Sequence, residues 1–167
     1  GLPDAVLMVE FDGANEDEVR SAFNAMRADP VIAEAAYHLH EAWSDDAQAR
    51  ILDFRKAGLG IYNTVEGDAK PVPIIEDAAI PPEHLAEYIP AVQALCRAEG
   101  IDSVFYGHAS VGVIHTRPIV DLKTQEGVDA FHRIADGTFE LVKKYGGSWS
   151  GEHGDGLIRS HWNQRMF

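Results

Sequence analysis

A single cysteine, Cys96, occurs among the 167 residues. No internal disulfide can form, and neither a cysteine-ligated zinc site nor an iron–sulfur cluster can be built within the chain. A cytoplasmic origin is expected on that ground. Cations are scarce too: Lys and Arg number 14 against 27 Asp and Glu, for a formal net charge of -13. A surface of that sign repels phosphate backbones and anionic headgroups, so nucleic acid is not an expected partner. Long apolar runs are missing. The run from Ala5 to Val9 falls far short of a bilayer span, and no basic stretch leads into a hydrophobic segment near the start, so neither membrane insertion nor an export signal is expected. No Gly-rich dinucleotide fingerprint follows a strand-like segment, which argues against a Rossmann fold and a self-contained pyrophosphate site.

What remains is a chain with 46% hydrophobic residues, enough for one globular domain with a single core over residues 1–167. Gly1 is not an initiator residue, Leu2 leads almost at once into a strand-like segment, and Arg165-Met166-Phe167 follow a helix-like segment directly. The chain is therefore expected to be a piece of a longer one. Ala5 to Phe11 reads as a strand ending at Asp12-Gly13, and Asn15 to Ala28 as a helix with Asp17 and Glu18 in its first turn, closed by Pro30. Val31 to Leu39 reads as a second strand, and Ser44 opens a helix over Asp45 to Lys56 that Gly58 and Gly60 end. Val72 to Ile80, Ser103 to Tyr106 and Val113 to Thr116 read as strands. Helices are predicted over Glu83 to Glu99 and Thr124 to Tyr145, stopped by Gly100 and by Gly146-Gly147. Strands mixed with helices without strict alternation predict an α+β fold: a ferredoxin-like antiparallel sheet with helices packed on one face.

Two segments carry chemistry. In Tyr106 to His115, two histidines, His108 and His115, are separated by a tight stretch containing Gly107 and Gly112. Residues seven apart on one uninterrupted strand point to opposite faces, so the pair can meet one ion only if the chain turns between them. The second segment, Gly146 to Gly156, sets Glu152 beside His153 in a glycine-dense loop. Adjacent side chains diverge, so one can ligate a metal while the other faces a substrate, and Gly151 and Gly154 let the backbone approach a planar cofactor. Two imidazoles and a carboxylate make a common divalent site with open positions. Spacing alone leaves unrelated loop histidines as the alternative. His38, His40, His84 and His132 are read as structural.

Pro73 to Pro81, Gly107 to His115 and Ser150 to Gly156, in that order, resemble the C-terminal domain of FAD-linked oxidases. That family includes D-lactate dehydrogenases, glycolate oxidase subunits and D-2-hydroxyglutarate dehydrogenases. The resemblance covers nearly the whole chain, and the tail Leu157 to Trp162 is most similar to large bacterial members fused to an iron–sulfur oxidoreductase. It implies that His108, His115 and Glu152 hold a divalent metal, as a rule zinc, and that His153 is the general base. It also implies that Arg55 and Lys70 bind substrate carboxylates, and that FAD is held mainly by a domain outside this chain.

Two departures stand out. Ala109-Ser110-Val111-Gly112 replaces the Gly-Asp-Gly-Asn common in the family. Arg117 stands where relatives acting on dicarboxylates often carry Asn; it either engages a substrate carboxylate or pairs with Asp121. The expected full-length protein oxidises a 2-hydroxy acid, with flavin-binding and iron–sulfur domains in the same chain, the isolated piece being inactive and prone to form a homodimer. The competing reading is a stand-alone metal- or ligand-binding module of the same fold, and a weaker one is a structural subunit.

Overall fold

The computed structural model describes residues 3, 5–62 and 64–167; Gly1 and Leu2, on which part of the fragment expectation rests, lie outside the described residues. Contacts group the chain into two compact units, Gly1–Leu52 and Asp53–Phe167. Among the described residues no helix is long and apolar enough to cross a membrane.

The first unit holds helices α1 (Glu16–Ala28) and α2 (Pro30–Ala35) and the opening turns of α3 (Asp45–Tyr62). Asn15 caps α1 by accepting the Glu18 amide at 3.0 Å, and three acids fill the first turn, where the helix dipole favours them. Phe23 meets Phe11 and Trp43 edge to face at 6.1 and 5.7 Å, and the Arg20 guanidinium lies 4.1 Å over the Trp43 ring.

Two predicted strands are corrected here. Ala5 to Phe11 has strand composition but no ladder among the described residues, and Val6, Leu7 and Val9 are exposed; a strand is stable only when another edge pairs with it. Val31 to Leu39 starts as helix α2. Asp29 accepts the Val31 amide at 2.8 Å and Pro30 takes the first helical position, so the alanines follow their helical preference. Helix α3 also runs through Gly58 and Gly60. Neither adopts the left-handed conformation that stops a helix, and a glycine inside one costs only about 1 kcal/mol.

The second unit carries strands β1 (Lys70–Pro71), β2 (Ile75–Ala79), β3 (Ser103–His108) and β4 (Val113–Val120), and helices α4 (Leu85–Ala98), α5 (Gln125–Lys144), α6 (Gly156–Arg159) and α7 (Asn163–Met166). β4 is central and every pairing is antiparallel: β3 flanks it on one side, and β1 and β2 share the other. Ser148 adds an antiparallel bridge to Ala79. From β2 onward the elements run strand, helix, strand, strand, helix, bridge, in the spatial order Ser148, β2, β4, β3, which is the ferredoxin-like arrangement. The fold class thus matches the expectation.

Ile75, Ala78 and Ile114 of the sheet pack with Tyr88, Val92 and Cys96 of α4 and Ile134, Ala135, Phe139 and Val142 of α5. Trp149 and Trp162 close this core, the Trp149 ring lying 5.4 Å from Phe139 and 5.3 Å from Trp162. With one sheet face spent on the helices, alternation turns Tyr106, His108, His115 and Arg117 to the other face.

Gly112 makes the return from β3 to β4 possible. Its φ is 73°, its carbonyl accepts the Ile80 amide at 2.9 Å, and a Cβ on it would strike the Ile80 backbone. Gly146 has a similar φ of 66° but open space around it. Gly112→Ala should therefore lower unfolding free energy by about 2–5 kcal/mol, backbone strain plus overpacking, whereas Gly146→Ala should cost only about 1–2 kcal/mol. Urea unfolding of both variants checks the difference; equal losses would mean that the Ile80 contact is not limiting.

Candidate functional site

β2 contains a bulge at the centre of the site. Ile75 pairs with Thr116 and Ala78 with Ile114, so Glu76 and Asp77 together oppose His115. An extra residue re-aims its neighbours, and both acidic side chains reach one face: Glu76 Oε1 lies 3.3 Å and Asp77 Oδ1 3.9 Å from His153 Nδ1. The bulge also turns the Glu76 carbonyl toward His115, whose Nδ1–H donates to it. That bond fixes the tautomer and leaves Nε2 with a free lone pair.

The turn between β3 and β4 brings His108 and His115 together, their rings 5.8 Å apart, as the spacing required. Glu152 enters between them: its Oε1 is 3.9 Å from His108 Nε2 and its Oε2 is 3.6 Å from His115 Nε2. The three ligand atoms lie within 4.8 Å of one another. His115 is buried; His108 and Glu152 are partly open. Fixed tautomer, close spacing and an open side fit a three-ligand divalent site.

Asp77 sets the glycine-dense loop. Fully buried, it accepts the Ser150 hydroxyl at 2.6 Å, the His153 amide at 2.9 Å and the Glu152 amide at 3.1 Å, and its carbonyl accepts the Gly151 amide at 2.8 Å. Buried Arg159 lies 3.5 Å from the same carboxylate and donates to the Gly154 carbonyl at 2.6 Å. Burial alone would raise the Asp77 pKa, but the Ser150 hydroxyl and the two amides outweigh it and hold the carboxyl below its ordinary value. Gly151 is glycine for packing, since a Cβ would press on Val113 and Ala79, and Gly154 is left-handed with φ 71°.

His153 stacks on His115 with ring centroids 5.1 Å apart and planes 5° from parallel. Its Nδ1 faces Glu76, and its Nε2 lies 3.7 Å from Glu152 Oε2, on the side of the cluster. Arg117 pairs with Glu76 at 2.9 Å rather than with Asp121, which instead accepts the Lys123 amide, and its guanidinium lies 5.8 Å over Tyr106. Arg117 Nε has no hydrogen-bond partner among the described residues. Lys70 is exposed and bonds the Val65 carbonyl, and Arg55 is exposed on α3; among the described residues no ion pair joins either to the cluster. Glu76, Asp77 and Arg159 were not anticipated as site residues. The available signal was a pair of adjacent acids inside the otherwise apolar run from Val72 to Ile80.

A family model described as FAD linked oxidases, C-terminal domain, matches residues 3–167. The chain belongs to this family. It is 37% identical over 165 residues to a D-2-hydroxyglutarate dehydrogenase of Haemophilus influenzae, covering 96% of this chain and 16% of that protein. A D-2-hydroxyglutarate dehydrogenase of Escherichia coli is 35% identical over 170 residues, with the same coverages of 96% and 16%. A D-lactate dehydrogenase of Archaeoglobus fulgidus is 33% identical over 133 residues, 79% of this chain and 28% of that protein. The chain thus spans about a sixth of the length of the first two relatives.

Asp77→Asn leaves one acceptor oxygen for several donors. The loss of about 1–3 kcal/mol of pairing should appear as roughly 10- to 100-fold faster amide exchange at Glu152 and His153. Because the folded carboxyl titrates below its ordinary 3.8, its stabilisation is complete above that value and disappears as pH falls through the lower folded pKa. The variant should therefore show a shallower loss of stability below about pH 4; an unchanged acid limb would remove Asp77 from the stability argument.

Proposed function

We propose that this chain is the substrate- and metal-binding domain of a longer FAD-dependent D-2-hydroxyacid dehydrogenase, of the D-lactate, glycolate or D-2-hydroxyglutarate type. The observation that carries the reading is the convergence of His108, His115 and Glu152 on one point, with an imidazole of set tautomer, His153, beside them. Family membership over residues 3–167 supports a flavin partner; in this reading another domain of the same chain holds it, an iron–sulfur domain accompanies it, and the protein is cytoplasmic.

His108, His115 and Glu152 would hold the divalent ion, zinc in the first instance. When bound, the ion supplies a Lewis acid that acidifies the substrate 2-hydroxyl, and the flavin supplies the acceptor for the hydride from C2. The residues of this chain do the rest. His153, with Nδ1–H given to Glu76, keeps Nε2 free to take the hydroxyl proton as C2 loses hydride and the 2-oxo acid forms. Arg117, whose guanidinium is partly exposed and held by Glu76, would anchor a substrate carboxylate. Arg55 and Lys70 are the further cations for that group, Lys70 after leaving Val65. Gly154, with open space where a side chain would stand, would keep the loop clear where the flavin domain approaches, and Gly151, seated against Val113 and Ala79, would offer its backbone there.

Turnover of paired D- and L-2-hydroxy acids by the full-length protein, with a dye acceptor, tests this reading. Selective oxidation of a D-acid, lost on chelation and restored by metal, is expected. His108→Ala, His115→Ala and Glu152→Ala should each lose metal with flavin retained; His153→Ala should keep the metal and lose about 10²- to 10⁴-fold in kcat. Turnover of none of the D-acids by a flavin-replete protein would overturn the reading.

A further inference from the structure

Among the described residues Glu76 is the one side chain that bonds both the imidazole read as base and the cation read as substrate anchor. Its Oε1 takes His153 Nδ1 at 3.3 Å and its Oε2 takes the Arg117 guanidinium at 2.9 Å. The carboxylate is mostly buried, between Arg117 on β4 and the glycine-dense loop, and it projects from the bulge whose backbone carbonyl already holds His115. We propose that Glu76 is a positioning residue that divides its two oxygens between His153 and Arg117, locking the His153 tautomer and the Arg117 orientation into one unit. The inference rests on the reading of His153 as base and of Arg117 as carboxylate anchor.

A carboxylate can serve both neighbours where an amide cannot. Glu76 offers two acceptor oxygens, and both donors find one. Glutamine at the same place offers one acceptor oxygen and an NH₂ group that can only donate. Arg117 has no acceptor, so in Glu76→Gln the amide oxygen stays on Arg117 and the NH₂ faces His153. Nδ1 must then accept, its proton moves to Nε2, and the nitrogen that should receive the substrate proton is blocked. Amide replacement of a tautomer-setting carboxylate in the serine-protease triad costs about 10⁴-fold in kcat. Once Arg117 is removed the conflict ends, because the glutamine oxygen is free to accept His153 Nδ1–H.

The test is a double-mutant cycle in the full-length flavoprotein, with metal content measured in every variant. In the native background Glu76→Gln should lower kcat by about 10²- to 10⁴-fold with metal content unchanged. In the Arg117→Met background, which itself raises KM, the same substitution should change kcat by less than about threefold. A native-background loss under about threefold, equal losses in the two backgrounds, or loss of metal with Glu76→Gln would each overturn the proposal.

A second readout needs no turnover: carbethoxylation of His153 by diethyl pyrocarbonate, followed by peptide mass. Glu76→Gln should slow labelling of His153 by about tenfold, because a protonated Nε2 is not a nucleophile, and Arg117→Met should restore it. Unchanged labelling would overturn the proposal. If the unsubstituted protein oxidises no D-2-hydroxy acid, the functional reading falls by itself, and the labelling result still decides whether Glu76 sets the His153 tautomer.

Discussion

The site depends on one buried carboxylate. Asp77 is withdrawn from water completely, a position that would ordinarily neutralise it, yet its pKa lies below the usual carboxylate value because a hydroxyl and two backbone amides converge on it. Hydrogen bonds to an ionised acceptor are about twice as strong as neutral ones, and three donors share this anion, with the Arg159 guanidinium 3.5 Å away. The consequence is conformational. The segment Ser150 to His153 is not an independent loop but a cradle folded around one side chain of β2, so Glu152 and His153 inherit the rigidity of the sheet. Preorganisation of this kind is what a three-ligand site needs if its ligands are to converge without an ordering cost at the moment of binding.

The same logic runs outward. Trp149 fixes the near end of the cradle by burial against Phe139 and Trp162, and Arg159 fixes the far end by bonding the Gly154 carbonyl. A charged guanidinium in the interior would be costly alone, but it faces Asp77 and backbone carbonyls, so the buried charges compensate one another. Stability and site geometry are therefore not separable here. The residues that hold the loop to the core are those that aim its functional side chains, and a variant that loosens one will loosen the other.

How far the sequence discloses this varies with the range of the interaction. The histidine pair was legible because its condition is local: a turn between His108 and His115, for which Gly112 supplies the left-handed residue. The pair Glu152-His153 was legible for the same reason, two adjacent side chains that must diverge. Asp77 and Glu76 lie inside the Pro73 to Pro81 motif with no role legible in the sequence, since their meaning depends on a bulge in β2 and on partners 73 to 77 positions away. The Arg117 pairing crosses 41 positions, and a nearby Asp121 was the tempting local alternative. Where two local signals competed, the pattern misled: the Val31 segment has β-branched residues and alanines, and the Asp29-Pro30 start decided for helix.

Charge is unevenly balanced across the residues of the cluster. Three carboxylates, Glu76, Asp77 and Glu152, crowd a small volume of a chain already at -13. Arg117 offsets Glu76 and Arg159 offsets Asp77, each by a direct ion pair. Among the described residues Glu152 pairs with no Lys or Arg, only with the His108, His115 and His153 rings, and His115 cannot accept at Nδ1 while it donates there to the Glu76 carbonyl. With neutral imidazoles the cluster sets a carboxylate against three Nε2 lone pairs, an arrangement that is repulsive unless a proton or a metal ion lies between them. A divalent ion held by His108, His115 and Glu152, as proposed, would satisfy those three groups at once and leave the set tautomer of His115 intact.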